Sequence, residues 1–140
     1  MRNCVLDPEI IPQRLSPALR TLLHLLGSST PQVGPAGHAA KQLGLSSRFG
    51  LARLLKREGI PPLHRLVGWF DVLRWVRAGE QDAVSLCRVA FVSHRDPAAC
   101  YRLVKRVTGH PWTEVRTLGS DWVTARISAL LHEGEVPRAS

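Results

Sequence analysis

LGLSSRFGLARLLKREGIPP, residues 43–62, is echoed by VAFVSHRDPAACYRLVKRVTGHPWTEVR, residues 89–116. Arg53-Leu54-Leu55-Lys56-Arg57 reads RLLKR, and Arg102-Leu103-Val104-Lys105-Arg106 reads RLVKR, 49 residues later. Each string follows a helix-start signal, Ser46-Ser47 in one case and Asp96-Pro97 in the other. Each is soon followed by a glycine, Gly59 or Gly109, and then a proline, Pro61 or Pro111. Short apolar segments holding Ala39-Ala40 and Val89-Ala90 come before them. Taken once, RLxKR is ordinary amphipathic helix with a solvated basic face. Taken twice, with matching starts and stops, it reads as a duplicated two-helix module.

The rest of the chain is read outward from that repeat. No run alternates with period two over strand length, so the fold class is all-α. Ser16 caps and Pro17 opens a short helix over 16–26, with Leu19, Leu22, Leu23 and Leu26 on one face. Residues 27–37, GSSTPQVGPAG, form a connection. His38–Leu43 is a short helix ending at Gly44. Ser46 or Ser47 caps the next, which runs to Arg57 or Glu58. A longer helix is expected over about 62–77, with a stripe of Leu63, Leu66, Val67, Phe70 and Leu73 and an end at Gly79. Further helices are expected over 83–92, from Asp96-Pro97 to Thr108–Gly109, and over 122–132 with Asp121 as cap, with a short turn or helix over 112–118. The expected divisions are 1–35, an N-terminal helical segment and its connection; 36–78, the first helix-turn-helix and a linker helix; 79–118, the second helix-turn-helix; and 119–140, a C-terminal helix and tail.

The first unit carries its own turn signature, Ala40, three residues, Gly44, then Leu45. The small alanine lets two helices approach, and the glycine supplies a positive φ.

The chain has 140 residues with 19 Lys+Arg against 11 Asp+Glu, a formal net charge of +8. That length suits one ordinary domain or two very small ones. The excess is uneven: residues 31–78 carry net +6, whereas 79–118 carry net +2. A concentrated basic surplus points to a docking face for nucleic acid, an anionic membrane or an acidic protein. No apolar stretch of spanning length is present, and no secretory signal is visible.

Catalytic and metal chemistry find little to build on. Cys4, Cys87 and Cys100 make no disulfide framework, which fits reduced thiols in a cytosolic protein. Cys87, His94, Cys100 and His110 fit no zinc spacing, so no metal or other cofactor is expected; the two thiols are read as buried. No nucleophile triad, paired carboxylate or phosphate loop has usable spacing, and no acid stands near a histidine as in a catalytic dyad. An enzyme is not expected.

These residues together resemble the duplicated helix-turn-helix DNA-binding domain of the AraC/XylS family of bacterial transcription regulators. The resemblance covers about residues 36–118. Gly59-Ile60-Pro61-Pro62 and Gly109-His110-Pro111 match the ends of the two recognition helices. Arg53 and Arg102 match the family arginine of each, and Lys56 and Lys105 the lysine three residues on. The sequence departs from the pattern in three places. The first unit is one residue short before Gly59. The second turn is also a residue short and has Ser93-His94 where a glycine is usual, although histidine enters the left-handed region more readily than most residues. Pro97, Ala98 and Ala99 replace small polar residues at the start of the second recognition helix, so the second unit is expected to supply affinity and register more than base discrimination.

The resemblance implies a sequence-specific regulator that binds double-stranded DNA in the cytoplasm, associated with the nucleoid. Two recognition helices would enter successive major-groove faces, which repeat about every 34 Å. Only about 35 residues precede the matched region, so a stand-alone DNA-binding domain without a small-molecule effector is expected. Arg48, Phe49, Arg53 and Arg102 are the candidate base readers. Ser47, Lys56, Arg57, Arg95, Lys105 and Arg106 are the candidate phosphate contacts. Phe49 has a second reading as a core residue. The four tryptophans, Trp69, Trp75, Trp112 and Trp122, are read as packing residues. The alternative function is a protein-interaction module, a degenerate helix-turn-helix docking on RNA polymerase or another regulator. An exposed leucine-rich N-terminal helix and the weak second unit favour it.

Overall fold

Helix boundaries follow local chemistry at most points along the chain. The computed structural model describes residues 10–27, 40–41, 43–45, 47–92 and 94–133. The connection at 28–37, most of the expected 38–43 helix, Cys4 and the polar tail lie outside the described residues. Helix α1 spans Pro17–Leu26, with the Ser16 hydroxyl accepting the Leu19 N–H at 3.4 Å. Helix α2 spans Arg48–Arg57; Ser47 is its cap, accepting from Gly50 N–H at 3.3 Å. Helices α3 (Leu63–Asp82), α4 (Leu86–Val92), α5 (Pro97–Thr108), α6 (Trp112–Leu118) and α7 (Ser120–His132) complete an all-α fold. No strand occurs among the described residues.

The described chain forms two compact units. The first runs to Leu66 and resumes at Arg126; the second is Val67–Ala125. The boundaries therefore fall inside α3 and inside α7, not at helix ends.

In the first unit, Leu19, Leu22, Leu23 and Leu26 of α1 are buried, as are Leu51, Leu54 and Leu55 of α2. Glu58 ties these helices together. Its carboxylate accepts the Ser16 N–H at 2.7 Å, and its carbonyl accepts the Arg14 guanidinium, which also reaches the Leu131 carbonyl at 3.0 Å. The N-terminal helix is therefore not an exposed leucine-rich element. Its apolar stripe is the core of this unit, because leaving four leucines in water would forgo several kcal/mol of burial.

In the second unit, α3 is buried on more than the expected stripe. Phe70 and Leu73 are buried, but so are Trp69, Val72, Trp75 and Val76. A helix apolar on most sides serves as the centre of a domain rather than its edge. Val67 is only partly buried. Gly68 faces Val107 of α5 so closely that an added Cβ would stand 2.7 Å from its methyl group.

Helix α3 also outruns its expected end. Gly79 lies within it, and the turn comes at Ala83, with φ 52°. Glycine is tolerated in a helix at about 1 kcal/mol. The Val84 carbonyl lies 3.5 Å from where a Gly79 Cβ would stand, an ordinary contact, so a side chain fits there as well. The last helix likewise starts earlier than expected. Ser120 is its first residue and Asp121 sits in its first turn. The cap is supplied from a distance: the Glu80 carboxylate accepts the Ser120 N–H at 3.0 Å.

The two turns of the repeat close alike. Leu45 N–H donates to the Ala40 carbonyl at 2.8 Å, and Arg95 N–H donates to the Ala90 carbonyl at 2.8 Å. Gly44 and His94 occupy the left-handed position in each, with φ 75° and 56°. Ala40 and Ala90 are fully buried. Both turns use one bond pattern, with histidine doing in the second what glycine does in the first.

Candidate nucleic-acid interface

Helix α2 presents two unlike faces because its apolar residues recur at helical spacing. Leu51, Leu54 and Leu55 point inward, while Arg48, Phe49, Ala52, Arg53, Lys56 and Arg57 are exposed. The helix contains no acid, and none of its four cations forms an ion pair among the described residues. Phe49 is 60% exposed, so it is not a core residue. The Arg48 guanidinium lies over its ring at 5.0 Å. That contact holds a planar fork beside an apolar disc. Arg53 folds back along the same helix, its Nη2 4.0 Å from where a Gly50 Cβ would stand. Gly50 and Ala52 leave room around these three side chains. Ser47 uses its oxygen as the helix cap and keeps its hydroxyl proton for another acceptor.

The second unit is differently disposed. Asp96 caps α5 by accepting the Ala98 N–H at 3.3 Å, and Cys100 and Val104 are its buried residues. Pro97, Ala98, Ala99, Arg102, Lys105 and Arg106 are exposed. Arg102 extends into solvent with the Asp96 carboxylate 4.0 Å away. Arg95 is engaged within the unit. Its guanidinium lies 3.4 Å from the buried Asp71 carboxylate, which also accepts from Arg74 at 2.6 Å, and 5.7 Å from the Trp75 ring. A side chain held this way helps fix the turn before α5, while 45% of it stays exposed.

Comparison with family models, with curated proteins and with solved structures finds no match. Among the described residues, the first unit holds nine arginines and lysines against Glu58 and Glu133, while the second holds eight against six acids. The contrast is sharper than the residue counts imply, because three of the second unit's arginines face carboxylates. Lys41 and Arg65, exposed cations of the first unit, were not singled out from the sequence. The only signal for them was the charge surplus of residues 31–78.

Trp69, Trp75 and Trp112 are buried and Trp122 is partly buried, its ring 6.3 Å from that of Trp69. His110 does have an acid at helical spacing, contrary to the sequence reading. Its Nδ1 lies 2.9 Å from Glu114 Oε2, and its ring meets Trp122 edge-on at 5.5 Å. Cys100 is buried, and burial raises its thiol above the ordinary range. Cys87 is exposed rather than buried, with its sulfur 3.6 Å from the Tyr101 hydroxyl. No helix among the described residues is long and apolar enough to cross a membrane.

Proposed function

We propose that the protein is a sequence-specific DNA-binding transcription regulator of the AraC/XylS type, gripping duplex DNA chiefly through α2. The observation that carries this reading is the outer face of α2, acid-free and without an ion pair among the described residues, with Phe49 exposed between two arginines. A solvated surface helix normally intersperses charges of both signs and hides its aromatic rings. A helix that reads the major groove needs cations for phosphates, forks for guanine and an apolar surface for thymine methyls.

In this mechanism Arg48 and Arg53 bond guanine O6 and N7, and the Phe49 ring packs on a thymine methyl. Ser47, Lys56 and Arg57 hold the phosphates. Helix α5 adds Arg102 toward base edges, with Lys105 and Arg106 toward the backbone. Its leading residues, Pro97, Ala98 and Ala99, offer no hydrogen-bonding side chain, so it contributes grip more than discrimination. The protein-interaction alternative loses one of its supports, since the leucines of α1 are buried.

The deciding experiment measures Arg53→Ala against a selected duplex and against random duplex. The expected result is a loss of about 1–3 kcal/mol on the selected site and relaxed preference at one base position. An equal loss on both duplexes would remove Arg53 from base reading. Binding indifferent to salt would remove DNA as the ligand.

A further inference from the structure

We propose that the outer face of α4 is a docking surface for an acidic, amphipathic helix of a partner protein. The face is distinct from the α2 surface and does not depend on the DNA reading. Helix α4 buries Leu86 and Ala90. Helical spacing then sends Cys87 and Phe91 outward as one row, and Arg88 and Val92 as the next. Phe91 is 75% exposed and Val92 64% exposed. Tyr101 extends the surface from α5, 39% exposed, with its hydroxyl against Cys87. Large apolar side chains gathered on one face, rather than scattered singly, mark an interaction site.

The charges beside this face select the occupant. Arg88 lies among the apolar residues, exposed and without an ion pair among the described residues. Arg116 of α6 is near enough to pull on the Tyr101 phenol, although the Cys87 contact and burial hold that phenol above its ordinary range. An apolar face that carries the exposed Arg88, with the exposed Arg116 toward its Tyr101 end, is complementary to a helix with apolar residues on one side and acids beside them. A second copy of this chain would bring like charges together. A duplex offers this face little apolar surface beyond thymine methyls. An anionic membrane shares the chemistry, but seven residues make a short interfacial helix.

The test selects binders to the full chain from a displayed library of random helical peptides. Enriched peptides are expected to be acidic and apolar. One of them is then titrated by fluorescence anisotropy against the wild type, Phe91→Ser and Arg116→Glu. Each substitution should weaken binding at least about tenfold. Circular dichroism is expected to show both variants folded, and duplex binding by Phe91→Ser should be unchanged. Neutral or basic enriched peptides, or binding indifferent to Phe91→Ser, would overturn the proposal. Phe91-dependent sedimentation with phosphatidylserine vesicles in place of peptide binding would assign the face to a membrane. Loss of duplex binding in Phe91→Ser would assign it to DNA. Either result refutes partner docking and leaves the α2 reading to its own experiment.

Discussion

Glu80 stands near the end of α3, and its hydrogen bonds with Ser120 hold its carboxyl below the usual range. Burial works in the opposite direction and is outweighed. A depressed value means that the folded state prefers the carboxylate. Its stabilisation is therefore complete above the unfolded value, about 4.3, and is lost as pH falls through the lower folded value. The thermal midpoint of the wild type is expected to fall more steeply below that pH than the midpoint of Glu80→Gln. Parallel acid limbs would show that the contact carries no stability. Glu58 makes a like long-range contact in the first unit, its carboxylate accepting the Ser16 N–H beside the start of α1. Both acids were visible in the sequence as charges only, because their N–H donors lie about forty residues away.

Where α3 meets α5, a single hydrogen atom sets the spacing. Gly68 admits the Val107 methyl groups, and a Cβ there would stand 2.7 Å from one of them. Gly68→Ala is expected to force the helices apart or push Val107 off its rotamer, at a cost of about 1–3 kcal/mol. Urea unfolding monitored by circular dichroism measures this directly; an unchanged midpoint would mean that Val107 yields freely. Gly79 differs, because a Cβ there would make only an ordinary 3.5 Å contact with the Val84 carbonyl. The sequence reading treated Gly79 as a stop signal. The actual stop, Ala83 in the left-handed region, carries no sequence mark because alanine is an excellent helix former.

Over the whole molecule, charge is divided more sharply than composition implies. Among the described residues the first unit's α2 cations stand unpaired, whereas Arg74, Arg95 and Arg102 of the second unit each face a carboxylate. Counterion release counts only cations that reach phosphate. Lys56→Ala is therefore expected to reduce the slope of log K against log salt by about one. Arg95→Ala should leave that slope unchanged and lower the unfolding midpoint instead. A reduced slope for Arg95→Ala would return it to the phosphate contacts.

The sequence by itself determined the all-α class, the duplicated turn and most helix boundaries. Those features obey rules acting within a few residues: Ser16 and Ser47 cap, Asp96-Pro97 opens a helix, and Gly59 and Gly109 follow helix ends. It also located the basic surplus around α2 and proposed Phe49 as a reader. Only the tertiary structure decided which proposed groups are available. It buried the α1 leucines, exposed Phe49, turned Arg95 toward Asp71 and left Phe91 and Val92 in water. Those outcomes depend on side chains far apart in sequence competing for the same space and partners, and no local periodicity records that competition.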